Sequence, residues 1–178
     1  PPRAWNIVVL CIFRKVNIYN EIVHDFLENH IKSSIQSSVN RRQKRASGSY
    51  SVELLIVVDY AIYQRWYATS TGTTTAAREA ATVALIRQYY AFVINGMDAM
   101  YKSLQTSSFT ISVVFAGIVI AKTSGDAPWT ETIKITSVYP YQVEATSALN
   151  NFQSWVKGQS SLPGNDHAML FTGYGSNY

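Results

Sequence analysis

The strongest periodic signal lies in the middle of the chain. Val83, Ile86, Tyr90, Val93, Met97, Tyr101 and Leu104 recur every three or four positions, which puts them on one face of a helix. The spacing predicts a helix from about Ala76 to Leu104, apolar along one face for about six turns and therefore laid on a sheet. Thr75 can cap it, and Glu79 would sit in its first turn, favoured by the helix dipole. Gly96 in its interior costs about 1 kcal/mol against Ala.

Strand patterns flank this helix. Ser51 to Asp59 is a nearly continuous apolar run, as expected of a central strand buried on both faces. Glu53 interrupts the run near its start. Thr69 to Thr75 reads as a turn. Beyond the helix, Phe109, Ile111, Val113 and Phe115 alternate with smaller or polar residues. The phase then shifts at Ala116-Gly117, which predicts a strand to Ala121 with a bulge. Ser124 to Pro128 is a turn, and Thr132 to Val138 is expected as a short edge strand. A second helix is predicted from about Glu144 to Lys157, with Ala148, Phe152, Trp155 and Val156 inward. Leu162 to Asn165 ends it, and Asp166 to Thr172 is the next strand. The alternation predicts an α/β fold: a mainly parallel twisted sheet with two crossover helices.

Residues 1–45 differ in character. Trp5 to Phe13 suits a strand by its β-branched content. Ile22, Phe26, Leu27, Ile31 and Ile35 recur at roughly helical spacing. Ser33 to Asn40 is polar and linker-like. Arg41-Arg42-Gln43-Lys44-Arg45 then closes the segment.

Composition adds three constraints. The chain of 178 residues is 47% hydrophobic, enough for a core. Its net charge of +4 is uneven. Residues 1–45 hold eight Lys/Arg against three acids, and residues 46–178 hold seven against eight. The basic excess is therefore local, which argues against a nucleic-acid surface spread over the domain. The longest early apolar run, Ile7 to Phe13, falls far short of the roughly 20 residues of a membrane helix and lacks the flanks of a signal peptide. Cys11 is the only cysteine, so no disulfide forms within the sequence.

Four stretches together resemble a known family. Ser51-Val-Glu-Leu-Leu-Ile-Val-Val-Asp-Tyr60 resembles the first strand of reprolysin-type (adamalysin/ADAM) zinc metalloproteases of the metzincin clan. Val93-Ile-Asn-Gly-Met97 with Met100 to Leu104 is similar to the end of their first long helix. Leu149-Asn-Asn-Phe-Gln-Ser-Trp155 is similar to their second helix, and Asp166-His-Ala-Met-Leu-Phe-Thr-Gly173 to the strand after it. The resemblance covers residues 50–173 in family order. It implies two segments: 1–45, the end of a propeptide, and 46–178, the N-terminal part of a catalytic domain whose sheet is incomplete at its C-terminal end. It also implies a secreted or extracellular zymogen acting on protein or peptide substrates.

The family's zinc motif, His-Glu-x-x-His-x-x-Gly-x-x-His, does not occur here. Its chemistry needs two His one helical turn apart, a third His past a Gly turn, and Glu as general base. His24, His30 and His167 are the only histidines, and none has that spacing. Zinc and its ligands are therefore expected downstream, and residues 1–178 alone should be inactive.

The remaining candidates follow from the resemblance. Arg42-Gln-Lys44-Arg45 has the Arg-x-Lys-Arg pattern cut by furin-like proprotein convertases, with cleavage expected before Ala46. The plain alternative is a solvated charge run. Glu53 and Asp166 stand where family members carry two ligands of a structural calcium ion, which takes hard oxygen donors. Alternatively Glu53 faces water at a strand edge and Asp166 caps a turn. Cys11 has apolar flanks and reads as a buried structural thiol, not as a propeptide thiolate that blocks zinc. Two alternatives remain open. One is a non-catalytic metalloprotease homologue. The other is a von Willebrand A-like binding module with Asp59 at its metal site. That site needs Asp-x-Ser-x-Ser, and Ala61 and Tyr63 stand in the serine positions.

Overall fold

The computed structural model describes residues 8–13, 48–103 and 109–177, with side chains for 48–103 and 109–175. The strand predicted at Ser51 to Asp59 forms as β2 (Gly48–Val58). It is central because it is apolar on both faces. Leu54, Ile56 and Val58 pack to one side and Leu55 and Val57 to the other, all buried, as the period-two geometry of a strand requires.

Two parallel neighbours flank it. β3 (Phe109–Ile120) lies on one side and β5 (His167–Thr172) on the other. β1 (Val8–Phe13) adds to the far side of β5, antiparallel, so the sheet order is β1-β5-β2-β3. The predicted bulge is present. Phe115 pairs with Leu54 and Gly117 with Leu55, leaving Ala116 as the extra residue. A Cβ at Gly117 would stand 3.0 Å from the Pro163 ring, so a larger residue at the bulge would have to displace that ring.

The chain leaves β2 toward β3 and later returns across β2 to β5. Right-handed crossovers in opposite directions put their helices on opposite faces. On one face lie α1 (Tyr60–Thr69) and α2 (Thr75–Ser103). Ile62, Ile86, Tyr90 and Ile94 there meet Leu54, Ile56, Val58 and Phe171. On the other face lie α3 (Pro128–Glu131) and α4 (Ala145–Gly158). Trp129, Phe152 and Val156 cover Leu55, Val57 and Leu170. The Trp129 ring lies tilted against Trp155, with ring centres 4.3 Å apart. Among the described residues no helix is long and apolar enough to cross a membrane.

Several expectations are corrected. α1 was not predicted; Asp59 starts it by accepting from the Ile62 amide at 3.0 Å. The cap of α2 is Thr74, not Thr75: its Oγ1 accepts from the Ala77 amide at 3.1 Å. Glu79 therefore falls beyond the first turn. Thr132 to Val138 is not an edge strand of the main sheet. Ile135 makes one antiparallel bridge to Gln142, and Ile133 packs onto a small separate cluster of Ala61, Val143, Ala148 and Tyr174. β4 (Gln142–Glu144) instead pairs with β6 (Gly175–Asn177) in a two-stranded sheet. Glu144 caps α4 from outside. Its carboxylate accepts from the Ser147 and Thr146 amides at 2.5 and 2.7 Å, and these bonds lower its pKa to about 2. The helical spacing from Ile22 to Ile35 and the linker at Ser33 to Asn40 lie outside the described residues.

Candidate functional site

β2 and β5 lie side by side, and the turn that leaves β5 seats against α1, the helix that leaves β2. Open α/β sheets commonly bind ligands outside the carboxyl ends of their strands. Here that place is filled by a polar cluster. Asp59 follows β2 with no exposed surface. Its Oδ1 accepts from the amides of Ile62 and Gly173 at 3.0 and 3.1 Å. Its Oδ2 accepts from Thr172 Oγ1 at 2.6 Å. Burial pushes its pKa up to about 6; the hydrogen bonds oppose the rise, and the charge of Glu131 adds to it.

The cluster continues outward. The Tyr174 amide donates to Thr172 Oγ1 at 3.1 Å, and the Tyr174 hydroxyl donates to Glu131. Lys134 Nζ lies 2.7 Å from the other Glu131 oxygen and 5.7 Å from the Tyr174 ring centre. Arg65 donates to the Gly173 carbonyl. A Cβ on Gly173 would stand 2.9 Å from the Ile62 nitrogen, so glycine lets the turn after β5 seat against α1. These contacts staple α1 to the end of β5. Both oxygens of Asp59 are engaged and buried, unlike the solvent-facing carboxylate of a von Willebrand A-type metal site.

Glu53 lies midway along β2, where its pairing with β5 begins, and Asp166 stands just before β5. The parallel register places them side by side. The Asp166 amide donates to the Glu53 carbonyl at 3.0 Å, and the Glu53 amide donates to Asp166 Oδ2 at 3.1 Å. The two predicted residues are thus brought together, but one Asp166 oxygen already closes the strand pair. Calcium takes about six to eight oxygen ligands. Among the described residues no group of three or more His, Cys, Asp or Glu could hold a metal ion. The pair is at most part of a calcium site. His167 is buried within β5.

A cleft of about 650 Å³ opens at the C-terminal ends of β2 and β3. Tyr60, Tyr63 and Tyr67 line it from α1, with Arg78, Glu79 and Lys122 around them. The Arg78 guanidinium is fixed 4.2 Å over the Tyr67 ring and donates to the Tyr67 carbonyl at 2.7 and 3.0 Å. Sequence reading missed this lining because it depends on α1. The i, i+3, i+7 spacing of the three tyrosines was the available signal.

The processing-site residues Arg42, Lys44, Arg45 and Ala46 lie outside the described residues. β2 begins just after them, with Gly48 and Ser49 exposed. Cys11 stands opposite Met169 in the β1–β5 register. No family profile, no curated protein and no solved structure matches the chain.

Proposed function

We propose that residues 1–178 belong to the zymogen of a secreted reprolysin-type zinc metalloendopeptidase. They comprise the end of its propeptide and the N-terminal part of its catalytic domain. The enzyme hydrolyses peptide bonds in protein substrates with a zinc-activated water. One observation carries this reading. The four resembling stretches coincide with β2, the end of α2, α4 and β5, and the first and last of them lie parallel and adjacent in the sheet.

The described residues do not fit a zinc ion, so no step of hydrolysis is assigned to them. Their part is to form a two-faced core on which a metal-bearing helix can be mounted. Activation is cleavage between Arg45 and Ala46 by a furin-like convertase, and calcium binding, if Glu53 and Asp166 contribute, draws its other donors from elsewhere.

Two measurements test the reading. The downstream codons of the transcript are expected to encode His-Glu-x-x-His-x-x-Gly-x-x-His; an open frame that continues without it leaves a non-catalytic homologue. Incubation with a furin-like convertase is expected to yield a product with Ala46 at its N-terminus. A chain left intact under conditions that cut a control substrate removes the zymogen part.

A further inference from the structure

β5 is unsuited to be a sheet edge. His167-Ala-Met-Leu-Phe-Thr172 contains no Pro, Lys, Arg, Asp or Glu, and all six residues are buried. A bare strand of this kind presents unpaired backbone groups along an apolar ribbon, the arrangement that edge strands normally avoid. β2 covers one side of it. The other side is covered over its full length by Val8–Phe13, from Val8 opposite Thr172 to Phe13 opposite His167. α4 also lies against this strand. The covering strand belongs to the segment upstream of Arg41–Arg45, and the proposed cut falls between it and everything it pairs with.

We propose that the outer edge of β5 is an acceptor site for an extended apolar strand. In the uncut chain its occupant is Val8–Phe13, and cleavage at Arg45 leaves that strand in place. The inference rests on the zymogen reading for its cleavage step alone. The cut removes the tether, which holds the strand at an effective concentration on the order of millimolar. It removes none of the six residue pairs. Release thereby becomes a separate event that depends on dilution.

The test uses the full chain with the Arg41–Arg45 run replaced by the recognition sequence of a site-specific protease. After cleavage, size-exclusion chromatography with mass detection is expected to show residues 1–45 eluting with 46–178. The double variant Val9→Pro, Ile12→Pro places proline in both pairing phases of β1, so at least one ladder hydrogen bond is lost. Its cut fragment is expected to elute alone. Every second amide in 168–172 should then exchange with solvent at least tenfold faster, while α2 amides around Ile86–Ile94 stay protected and report an intact core. Separation of the wild-type fragments with a folded 46–178 overturns the proposal. So does continued co-elution of the proline variant. Convertase digestion of the unmodified chain is run beside it: an uncut native run sinks the processing reading and leaves the acceptor site standing on the engineered chain.

Discussion

A carboxylate with no exposed surface, as Asp59 has, stays ionised only through the groups that donate to it. Ile62, Thr172 and Gly173 supply three such bonds, yet burial prevails and the pKa rises from 3.8 to about 6. Between these values the folded state binds more protons than the unfolded one, so this residue's contribution to stability falls as pH rises from about 4 to about 6. The change over that window is about 3 kcal/mol. Asp59→Asn removes the titration while its amide oxygen still accepts from Ile62 and Gly173. Urea unfolding of both proteins should show wild type losing stability relative to the variant across this window; parallel curves would contradict it. Two glycines give opposite signs. Gly173→Ala forces a Cβ to within 2.9 Å of α1 backbone, and a loss of about 1–3 kcal/mol is expected. Gly96→Ala meets nothing within 4 Å and should gain up to about 1 kcal/mol. Thermal melts of the two variants separate these outcomes.

α2 shows what holds an element in this fold. Ile86, Tyr90 and Ile94 bury one side of it, and the Tyr90 ring meets Phe171 edge-on at 4.7 Å. The Tyr90 hydroxyl is buried without a hydrogen-bond partner among the described residues. An unsatisfied buried hydroxyl lowers stability, so Tyr90→Phe should be neutral or stabilising by about 1 kcal/mol; a loss of more than about 1 kcal/mol in denaturant melts would reveal a hidden partner. This helix, β2, the β3 bulge and α4 were legible in the sequence because apolar periodicity over many residues dictates them. α1 was not. Its buried residues are only Ala61, Ile62 and Tyr63, too few to show a period, and its start depends on a cap that reads as a strand end. The Thr132 to Val138 strand failed for a related reason. Its apolar residues serve a small cluster with Val143 and Tyr174, which local pattern cannot distinguish from a sheet edge. The Asp59 cluster joins residues 113 and 114 positions apart, and no local motif announces it.

At the scale of the molecule, the sheet divides by origin. β2, β3 and β5 come from the near-neutral part after the basic run, and β1 comes from the part before it. The proposed cut falls in the chain that joins the covering strand to the body it covers. The Glu53–Asp166 pair closes the start of the β2–β5 pairing, away from Asp59, and the tyrosine-lined cleft lies on the same side as Asp59. The sequence made the first pair visible and left the cleft hidden. The proposed zymogen reading predicts a zinc-dependent peptidase. The direct measurement is peptidase activity of the full reading frame's product, before and after confirmed cleavage at Arg45, with a zinc chelator and with zinc restored. Activity should appear on cleavage, vanish with the chelator and return with zinc. A correctly cut, folded product with no peptidase activity, or with activity indifferent to the chelator, would contradict the account.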